Sequence, residues 1–507
     1  MKKYSNILVK NCLAFLLIIS LIGSLNYIFI EINYFNSKKI VIFYFILFLL
    51  FSFCLSHSYI NALMKFLEKK KSISYGMLVL FCVFLLIYQI NMIWTLSGIG
   101  RSDSGMLIRT ILHLPMVKGW SKIYYSYFPN NLLLLVIENS IWQCVKPFLS
   151  VTSYIHLLNI INMFLIDLGS VFLGIACKNL FNKVVGYISF ISAELLLGFS
   201  LHIIEPYTDI WTFFFGSVFI FLISFPIKQQ QFTLSFKNIL SIIMLALLIP
   251  VMYLMKPSSL VYMIGLTIIC IGHVVGRENN NIKNIIITMI VFSAISIPTF
   301  SGLNYVCHRN GIVSVETSKK ESMLHFIAMG QTGTGGFNSR LTLDERKIEA
   351  PKEKIKYNKR ELKKELKNYQ GIDNYLAFLI KKQQSNTSYS VWPEFDVNPL
   401  KNRHLTNRLQ RFQYDIYFKH QDEKLIQWNI GIQLWWTLII IGCLLTGKMF
   451  SWRIQLLKYV ILGGFVFLLI FEGGRSRYMI QYLPVIISLG SLGLGSLGQS
   501  LMKRYNL

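Results

Sequence analysis

The stretch VTSYIHLLNIINMFLIDLGSVFLGIAC, residues 151–177, contains one formally charged side chain, Asp167, and is otherwise dominated by Leu, Ile, Val and Phe. A helix crosses the hydrocarbon core of a bilayer when about 20 consecutive residues are predominantly apolar. This stretch exceeds that length, so it predicts a membrane-spanning helix.

The composition of the whole chain agrees with lipid as its main solvent. Apolar residues make up 54% of the 507 residues, charged residues make up 15%, and the mean hydropathy is +0.50. A soluble domain typically carries about 25% charged residues. These values exclude a cytosolic enzyme, a fibrous protein and a secreted module held by disulfides. The net charge of +26 indicates basic cytoplasmic loops and contact with anionic lipid rather than with nucleic acid.

The apolar runs together predict an all-α polytopic membrane protein with about 13 transmembrane helices. Besides 151–177, the runs lie at 7–30, 40–63, 75–97, 131–147, 184–203, 210–225, 237–255, 258–275, 284–300, 430–447, 454–471 and 478–500. The predicted organisation is two N-terminal helices (1–74), a transmembrane body (75–300) with a first outer loop (98–130), an extracytoplasmic segment (301–429) and C-terminal helices (430–507). In the extracytoplasmic segment, GQTGTGG at 330–336 lacks the Lys-Ser/Thr ending of a phosphate-binding loop and is expected to be a plain flexible loop.

Basic residues beside the runs predict the orientation, because Lys and Arg concentrate in cytoplasmic loops. This rule places the N-terminus inside and the loops 98–130, 301–429 and 472–477 outside. Lys178 and Lys183 then also belong inside. In that case one of the runs 131–147 and 151–177 fails to cross the membrane. The alternative places both lysines outside and residues 204–209 inside. It would put the acidic turn at 205–209 on the opposite side of the membrane from the loop 98–130.

The first outer loop carries an acidic residue above a helix expected in the membrane interface. It reads GRSDSG at 100–105, then an amphipathic turn from Met106 to Leu114, then YYSYFPNN at 124–131. Amphipathic turns and Tyr/Trp clusters both favour the interface. A carboxylate at Asp103 would meet both a lipid-borne substrate and an acceptor from water. The alternative is that Ser102 or Asp103 simply caps the following helix.

A second outer turn, EPYTD at 205–209, places two carboxylates between apolar helices. Charged side chains at such positions are costly and are commonly functional. Glu205 and Asp209 would share the outer face with Asp103, an arrangement that suits general-base chemistry and the orientation of an acceptor or a metal. Thr208 or Asp209 could instead be a simple helix cap.

Two outer turns carry cations that contradict the positive-inside trend. They read MKPSS at 255–259 and EGGRSRY at 472–478. The guanidinium groups of Arg475 and Arg477 can bind phosphate oxygens in pairs, and Lys256 supplies a point charge. The alternatives are anchoring to lipid headgroups and a structural ion pair with Glu472.

Three further acids, Glu138, Asp167 and Glu194, lie inside apolar runs, where an acid is a functional hypothesis by default. Nearby polar side chains could equally satisfy them. The nine histidines show no HExxH spacing, and no G-x-S-x-G sequence is present, so neither zinc catalysis nor an α/β-hydrolase nucleophile is indicated.

In order and placement these motifs resemble the GT-C membrane glycosyltransferases, in particular the branch with protein O-mannosyltransferases and lipid A aminoarabinose transferases. The matching elements, from about residue 75 to the end, are Asp103 in the first outer loop, Trp120 through Pro129-Asn130-Asn131, Thr208-Asp209 at a helix start, and Arg477-Tyr478 followed by Pro484. The chain departs from that pattern in two ways. Asp103 lacks the adjacent second acid of the O-mannosyltransferases, and two helices precede the usual first one.

The resemblance implies transfer of a sugar from a polyprenyl-phosphate donor to an acceptor outside a bacterial cell membrane. It implies inverting displacement, with catalytic residues Asp103 and Asp209. The implied contacts to the donor phosphate are Arg475, Arg477, Lys256 and Arg109. The implied contacts to the acceptor or sugar are Tyr125, Tyr127, Asn130, Asn131, Glu205 and Tyr478. No cofactor is required by this resemblance, and a divalent metal stays open because the second acid is missing.

Two other classes of protein stay open. A lipid-linked oligosaccharide polymerase or ligase also has many membrane helices and a large outer loop, and it would depend on the arginines more than on Asp103. A transporter or flippase would depend instead on the intramembrane acids Glu138, Asp167 and Glu194.

Overall fold

The structure is a computed structural model that describes residues 2–35, 71–116, 123–228, 235–275, 282–390, 397–399, 405–418 and 423–505. Helices dominate these ranges. They are α1 (Lys2–Phe35), α2 (Lys71–Leu96), α3 (Asp103–Ile111), α4 (Tyr124–Tyr127), α5 (Leu132–Val145), α6 (Val151–Leu180), α7 (Lys183–Ala193), α8 (Thr208–Lys228), α9 (Phe236–Met255), α10 (Leu260–Val275), α11 (Ile282–His308), α12 (Met323–Gly330), α13 (Ser339–Arg346), α14 (Pro351–Asn368), α15 (Ile372–Thr387), α16 (Arg408–Phe418), α17 (Glu423–Leu445), α18 (Trp452–Ile470) and α19 (Leu483–Tyr505). The all-α polytopic architecture predicted from the sequence is confirmed.

Nine helices within the described ranges are long and apolar enough to cross a membrane. The candidate spans are Ile7–Ile30, Gly76–Leu96, Val151–Leu180, Thr208–Pro226, Phe236–Met255, Ile286–His308, Trp428–Lys448, Trp452–Ile470 and Ser476–Ser496. Four of the 13 predicted runs are not among them. The run 40–63 lies outside the described residues. The run 131–147 forms only the 14-residue α5, 258–275 forms the 16-residue α10, and 184–203 is interrupted.

The interruption in the run 184–203 follows α7. The chain there forms a π-helical turn, Glu194–Gly198, and then a 3₁₀ turn, Leu201–Ile204. Asn162 of α6 holds the second turn by donating its side-chain amide to the backbone carbonyls of His202, Ile203 and Glu205. The acidic turn therefore lies beside the N-terminal half of α6. The C-terminal end of α6 lies at Arg453, which donates to the carbonyl of Leu180 over 2.7 Å.

These contacts define two faces of the helix bundle. The site face carries the turn that contains Glu205, and the opposite face carries Leu180 and Arg453. Since α6 runs from one face to the other over 30 residues, the short helix α5 is the one of the pair that does not span. The contact of Tyr154 with the carbonyl of Glu138 agrees with this, because it packs α5 beside the site-face end of α6.

The helix α11 continues past the boundary predicted at residue 301, as one helix to His308. The hydrophilic segment after it lies against the first outer loop. Strand β1 (Gly98–Gly100) pairs antiparallel with β2 (Val397–Pro399), and the backbone N–H of Glu316 donates to Ser126 over 2.9 Å. The helix α3 is also more enclosed than an interfacial helix would be, since seven of its nine residues are buried and four of them belong to the main apolar core.

Candidate functional site

Three of the predicted site residues meet at the start of α8. Asp209 lies in the first helical turn and is 2% exposed. Its Oδ2 accepts a hydrogen bond from Nε of Arg477 over 2.7 Å, and its Oδ1 is paired with Nζ of Lys256. The three formal charges sum to one positive charge. The N-terminus of a helix also favours a carboxylate at this place.

Local structure explains why the two cations reach the same carboxylate. Lys256 ends α9 in an extended conformation, and Pro257 starts a 3₁₀ turn, Pro257–Ser259. Arg477 lies on another 3₁₀ turn, Ser476–Tyr482, just before α19. The two turns are joined, because Ser258 donates to Oε1 of Gln481 over 2.5 Å and Tyr482 donates to the carbonyl of Ser258 over 3.1 Å.

Asp103 is bound by two tyrosine hydroxyls. Tyr124 donates to Oδ1 over 2.8 Å, and Tyr207 is 3.3 Å from Oδ2. Asn131 joins both tyrosines, since its amide donates to Tyr124 over 2.5 Å and its Oδ1 lies 3.1 Å from the hydroxyl of Tyr207. Burial, and then the charge of Asp103, raises the pKa of both tyrosines well above its usual value. The hydroxyls therefore stay protonated and orient a carboxylate that is itself partly exposed.

The capping alternative for this stretch finds no support. Ser102 is the residue that precedes α3, and its side chain makes no cap hydrogen bond. It points instead to the second acidic turn, where Oε1 of Glu205 accepts from Ser104 over 3.0 Å and from Ser102 over 3.3 Å. Burial raises the pKa of Glu205 to about 7, although Arg477 and the serines oppose the shift. The two acidic turns predicted to share one face are thus in direct contact.

Aromatic rings link Asp103 to the ion-paired cluster. The guanidinium of Arg477 lies 4.9 Å from the ring centroid of Tyr207, and Nζ of Lys256 lies 5.4 Å from that of Tyr478. Such cation–π contacts strengthen when they are removed from water. Tyr478 donates in turn to Oε1 of Glu472 over 2.7 Å, and burial raises the pKa of Glu472.

We call the connected set the site network. Its members are Asp103, Tyr124, Asn131, Tyr207, Asp209, Lys256, Glu472, Arg477 and Tyr478. Glu205 adjoins it through Ser102 and Ser104. The network gathers acids and cations from chain segments that are far apart in sequence. Asp209 is bound by two cations, whereas Asp103 and Glu472 are bound by tyrosine hydroxyls among the described residues.

Other predicted residues lie outside this network. Arg109 donates to the carbonyl of Pro115 over 2.9 Å, and Tyr125 is buried with its hydroxyl 3.1 Å from Thr110. Tyr127 lies under the guanidinium of Arg346, 4.2 Å from its ring centroid. Asn130 lies in the 3₁₀ turn Pro129–Asn131 and is partly exposed. Trp120 lies outside the described residues.

Arg475 lies near the network and also beside a second loop. Its Nε is close to Gly336 of the GQTGTGG loop, 3.6 Å from the position that a Cβ would take there. That loop was expected to be plain and flexible. It is instead packed against the turn that carries both arginines, and the backbone N–H of Gly473 donates to the carbonyl of Gly335 over 2.8 Å.

A buried lysine holds these two loops together, and the sequence analysis missed it. Nζ of Lys382, on α15, donates to the carbonyls of Gly330 (2.5 Å), Phe471 (2.7 Å) and Leu469 (3.1 Å), and the residue is 1% exposed. Burial lowers the pKa of Lys382 to about 7. We call this contact set the Lys382 junction. The sequence gives little indication of this junction, because Lys382 lies on a helix whose other polar residues predict exposure to water.

The tyrosine ligands of Asp103 were also missed as ligands. Tyr124 and Tyr207 belong to motifs that the sequence analysis selected for other reasons. The signal that could have found them is that each stands within two residues of another predicted site residue. No group of three or more His, Cys, Asp or Glu side chains in the described ranges has a metal-holding arrangement.

Comparison with known proteins gives a family but no activity. No curated protein matches the chain. A sequence model described as "Conserved hypothetical integral membrane protein" matches residues 1–496, which is nearly the whole chain. The chain therefore belongs to this family of integral membrane proteins.

Proposed function

We propose that the protein is a membrane glycosyltransferase that moves a sugar from a polyprenyl-phosphate donor to an acceptor at the outer face of a bacterial membrane. The observation that carries the proposal is the pairing of two chemically different sites in one network. Asp103 is a partly exposed carboxylate held by hydroxyl donors, and a buried cluster of one net positive charge lies beyond Tyr207. Transfer from a phosphate-linked sugar needs one group of each kind.

The cationic cluster suits the leaving group. As the bond to the sugar breaks, negative charge develops on the lipid phosphate, and fixed donors that face this charge lower the barrier. Arg477 and Lys256 can bind a phosphate while they remain paired with Asp209, because the cluster holds two cations and only one anion. Asp209 then acts as a positioning residue that holds the cations together, rather than as a base.

Asp103 suits the acceptor. A hydroxyl acceptor attacks the anomeric carbon, its proton passes to a carboxylate oxygen of Asp103, and the bond to the phosphate oxygen breaks. One displacement of this kind inverts the anomeric centre. General-base catalysis by a positioned group contributes about 10²–10⁴-fold to the rate. Tyr124 and Tyr207 fix the carboxylate without neutralising it, since tyrosine hydroxyls stay protonated beside it.

The decisive substitution is Asp103→Asn in the purified, reconstituted protein. The assay supplies a panel of synthetic polyprenyl-phosphate monosaccharides and an extract of bacterial membranes as acceptor, and it measures the release of polyprenyl phosphate. We expect the wild type to consume at least one donor and Asp103→Asn to lose about 10²–10⁴-fold of that rate, the share of a general base. The matched control is Asp373→Asn, which changes an exposed acid of the outer segment.

Each outcome decides between functions. Near-normal turnover in Asp103→Asn, combined with loss of turnover in Arg477→Ala, would favour the polymerase or ligase class. Failure of the wild type to consume any donor of the panel would overturn the proposal. Monodisperse elution of the variant in detergent serves as the check that it is folded.

A further inference from the structure

A polar cluster lies within the apolar bundle and has no part in the proposed transfer reaction. It consists of Gln89 on α2, Asp167 on α6 and Glu194 at the start of the π-helical turn. Gln89 and Glu194 are fully buried, and Asp167 is partly exposed. Along α6, Asp167 is five residues farther from the site face than Asn162, or about 7.5 Å at the rise of an α-helix.

Only part of the cluster is satisfied by hydrogen bonds. Nε2 of Gln89 donates to Oδ1 of Asp167 over 2.9 Å and to the carbonyl of Gly198 over 3.3 Å. Oε1 of Gln89 and both carboxyl oxygens of Glu194 have no hydrogen-bond partner among the described residues. The hydroxyl of Ser170 is a side-chain donor close to Glu194, and it also donates to the carbonyl of Ile166 over 2.9 Å.

The backbone is shaped to hold the carboxyl of Glu194 in place. A Cβ added at Gly198 would overlap Oε2 of Glu194, and it would also lie 3.2 Å from Leu85 and 3.4 Å from Nε2 of Gln89. The carboxyl therefore lies directly on the glycine of the π turn. Single π turns within helices occur frequently at functional sites.

No cation in the described residues balances these acids, since neither Asp167 nor Glu194 takes part in an ion pair there. An isolated ionised carboxylate in an apolar interior is so costly that it binds a proton instead. Asp167 has a hydrogen-bond donor in Gln89, so it is the acid that can hold the one negative charge that remains. The titratable side chain that faces the pair from α2 is Cys82, and the adjoining 3₁₀ turn carries His202.

We propose that Asp167 and Glu194 form a proton-binding site inside the membrane, where the two carboxyls share one proton and Gln89 orients Asp167. The site does not depend on the proposed transfer reaction. It places a titratable group beside the helix that supports the Glu205 turn, and its ligand is H⁺ rather than a metal ion.

Labelling by dicyclohexylcarbodiimide tests this site, because the reagent modifies protonated carboxyls in apolar surroundings. The reconstituted full-length protein is treated across a pH series, and peptide mass spectrometry measures modification at Glu194 and Asp167. We expect modification at Glu194 at low and neutral pH and its loss as the pH rises. In Asp167→Asn the loss should move to lower pH by about one unit or more, because a strongly coupled pair titrates as a unit.

Three results would overturn the proton site. They are the absence of modification at both acids in acidic buffer, an unchanged pH profile of Glu194 in Asp167→Asn, and protection by NaCl at constant ionic strength, which would indicate a metal-ion site. The reciprocal measurement at Asp167 in Glu194→Gln covers the case in which Asp167→Asn does not fold. The matched control is Glu138→Gln, which removes another buried acid and should leave the profile of Glu194 unchanged.

Discussion

Asp103 and Asp209 both stand in the first turn of a helix, yet their partners give them different chemistry. Asp209 is paired with a guanidinium and an ammonium, so its negative charge is already balanced by two cations. Asp103 instead accepts hydrogen bonds from two neutral hydroxyls. A residue can accept a proton only if its lone pairs are accessible, and Asp103 is the more exposed of the two. This difference is why we separate a base from a positioning acid, although the sequence analysis grouped both as catalytic.

Arg477→Lys tests how the cationic cluster binds phosphate. Arg477 combines the 2.7 Å hydrogen bond from Nε to Asp209 with a cation–π contact to Tyr207. A lysine keeps the charge but loses the planar fork. We expect donor turnover to fall at least tenfold, with the larger change in kcat, because the fork binds the charge that develops on the phosphate. The measurement is the steady-state rate of polyprenyl phosphate release.

The matched control for this substitution is Arg340→Lys, which alters an arginine that is 61% exposed and only loosely paired with Glu361 and Glu365. It should leave turnover unchanged. Equal turnover in Arg477→Lys and the wild type would mean that Arg477 serves only as an anchor in the fold.

Residue patterns predicted Asp103, the ion-paired cluster, Asn131 and Tyr478, but not the two tyrosines that bind Asp103. Asp103, Asp209, Lys256 and Arg477 stood out because charges at the ends of apolar helices are costly and therefore conspicuous. Tyr124 and Tyr207 did not, since tyrosine is ordinary at a membrane interface. Which hydroxyl meets which carboxylate depends on contacts across 21 and 104 residues of sequence, and these are fixed only by packing of the helices.

At the scale of elements, the Lys382 junction connects the hydrophilic segment 301–429 to the turn that carries Arg475 and Arg477. Within the GQTGTGG loop, Gly333 and Gly335 both have positive φ, at +54° and +84°, but their surroundings differ. A Cβ at Gly333 would meet open space, whereas a Cβ at Gly335 would overlap the side chain of Lys382. The two glycines therefore offer a matched pair for testing the junction.

Gly335→Ala should disturb the junction, and Gly333→Ala should not. Both substitutions place a Cβ on a left-handed backbone, which destabilises the folded protein by about 1–2 kcal/mol. Only Gly335→Ala also displaces Lys382, so we expect a lower melting temperature and weaker use of the donor than in Gly333→Ala. Thermal unfolding in detergent and the donor KM provide the measurements. Indistinguishable values for the two variants would show that Lys382 has no influence on the turn.

Hydropathy predicted the existence of the helices better than their ends. The apolar run ends near residue 301 because Ser301 and Gly302 lower the local hydropathy, whereas the backbone continues as one helix to His308. The run 184–203 read as a single helix because its apolar character is continuous. Its π turn arises where Glu194 and Gly198 pack against α2, which is a tertiary cause. Composition alone does not carry such information.

At the scale of the whole molecule, the two faces of the bundle make the orientation testable. Lys146, which follows α5, and Asn374, at the start of α15, are both exposed. Asn374 belongs to the site face because α15 carries Lys382, which binds the turn of Arg475 and Arg477. Lys146 belongs to the same face if α5 does not cross the membrane. Lys448, between α17 and α18, is exposed near Lys458, which donates to the carbonyls of Thr446 and Met449. The positive-inside rule places Lys448 in the cytoplasm.

We expect single cysteines at 146 and 374 to react with a membrane-impermeant maleimide in intact cells, and a cysteine at 448 to react only after permeabilisation. The eight native cysteines are first replaced, so that each signal has one source. Reaction at 374 but not at 146 would show that α5 crosses the membrane after all. Protection of 374 in intact cells would place the site network in the cytoplasm, and a transfer reaction at the outer face would then be impossible, because Asp103 and Arg477 could not meet an external acceptor.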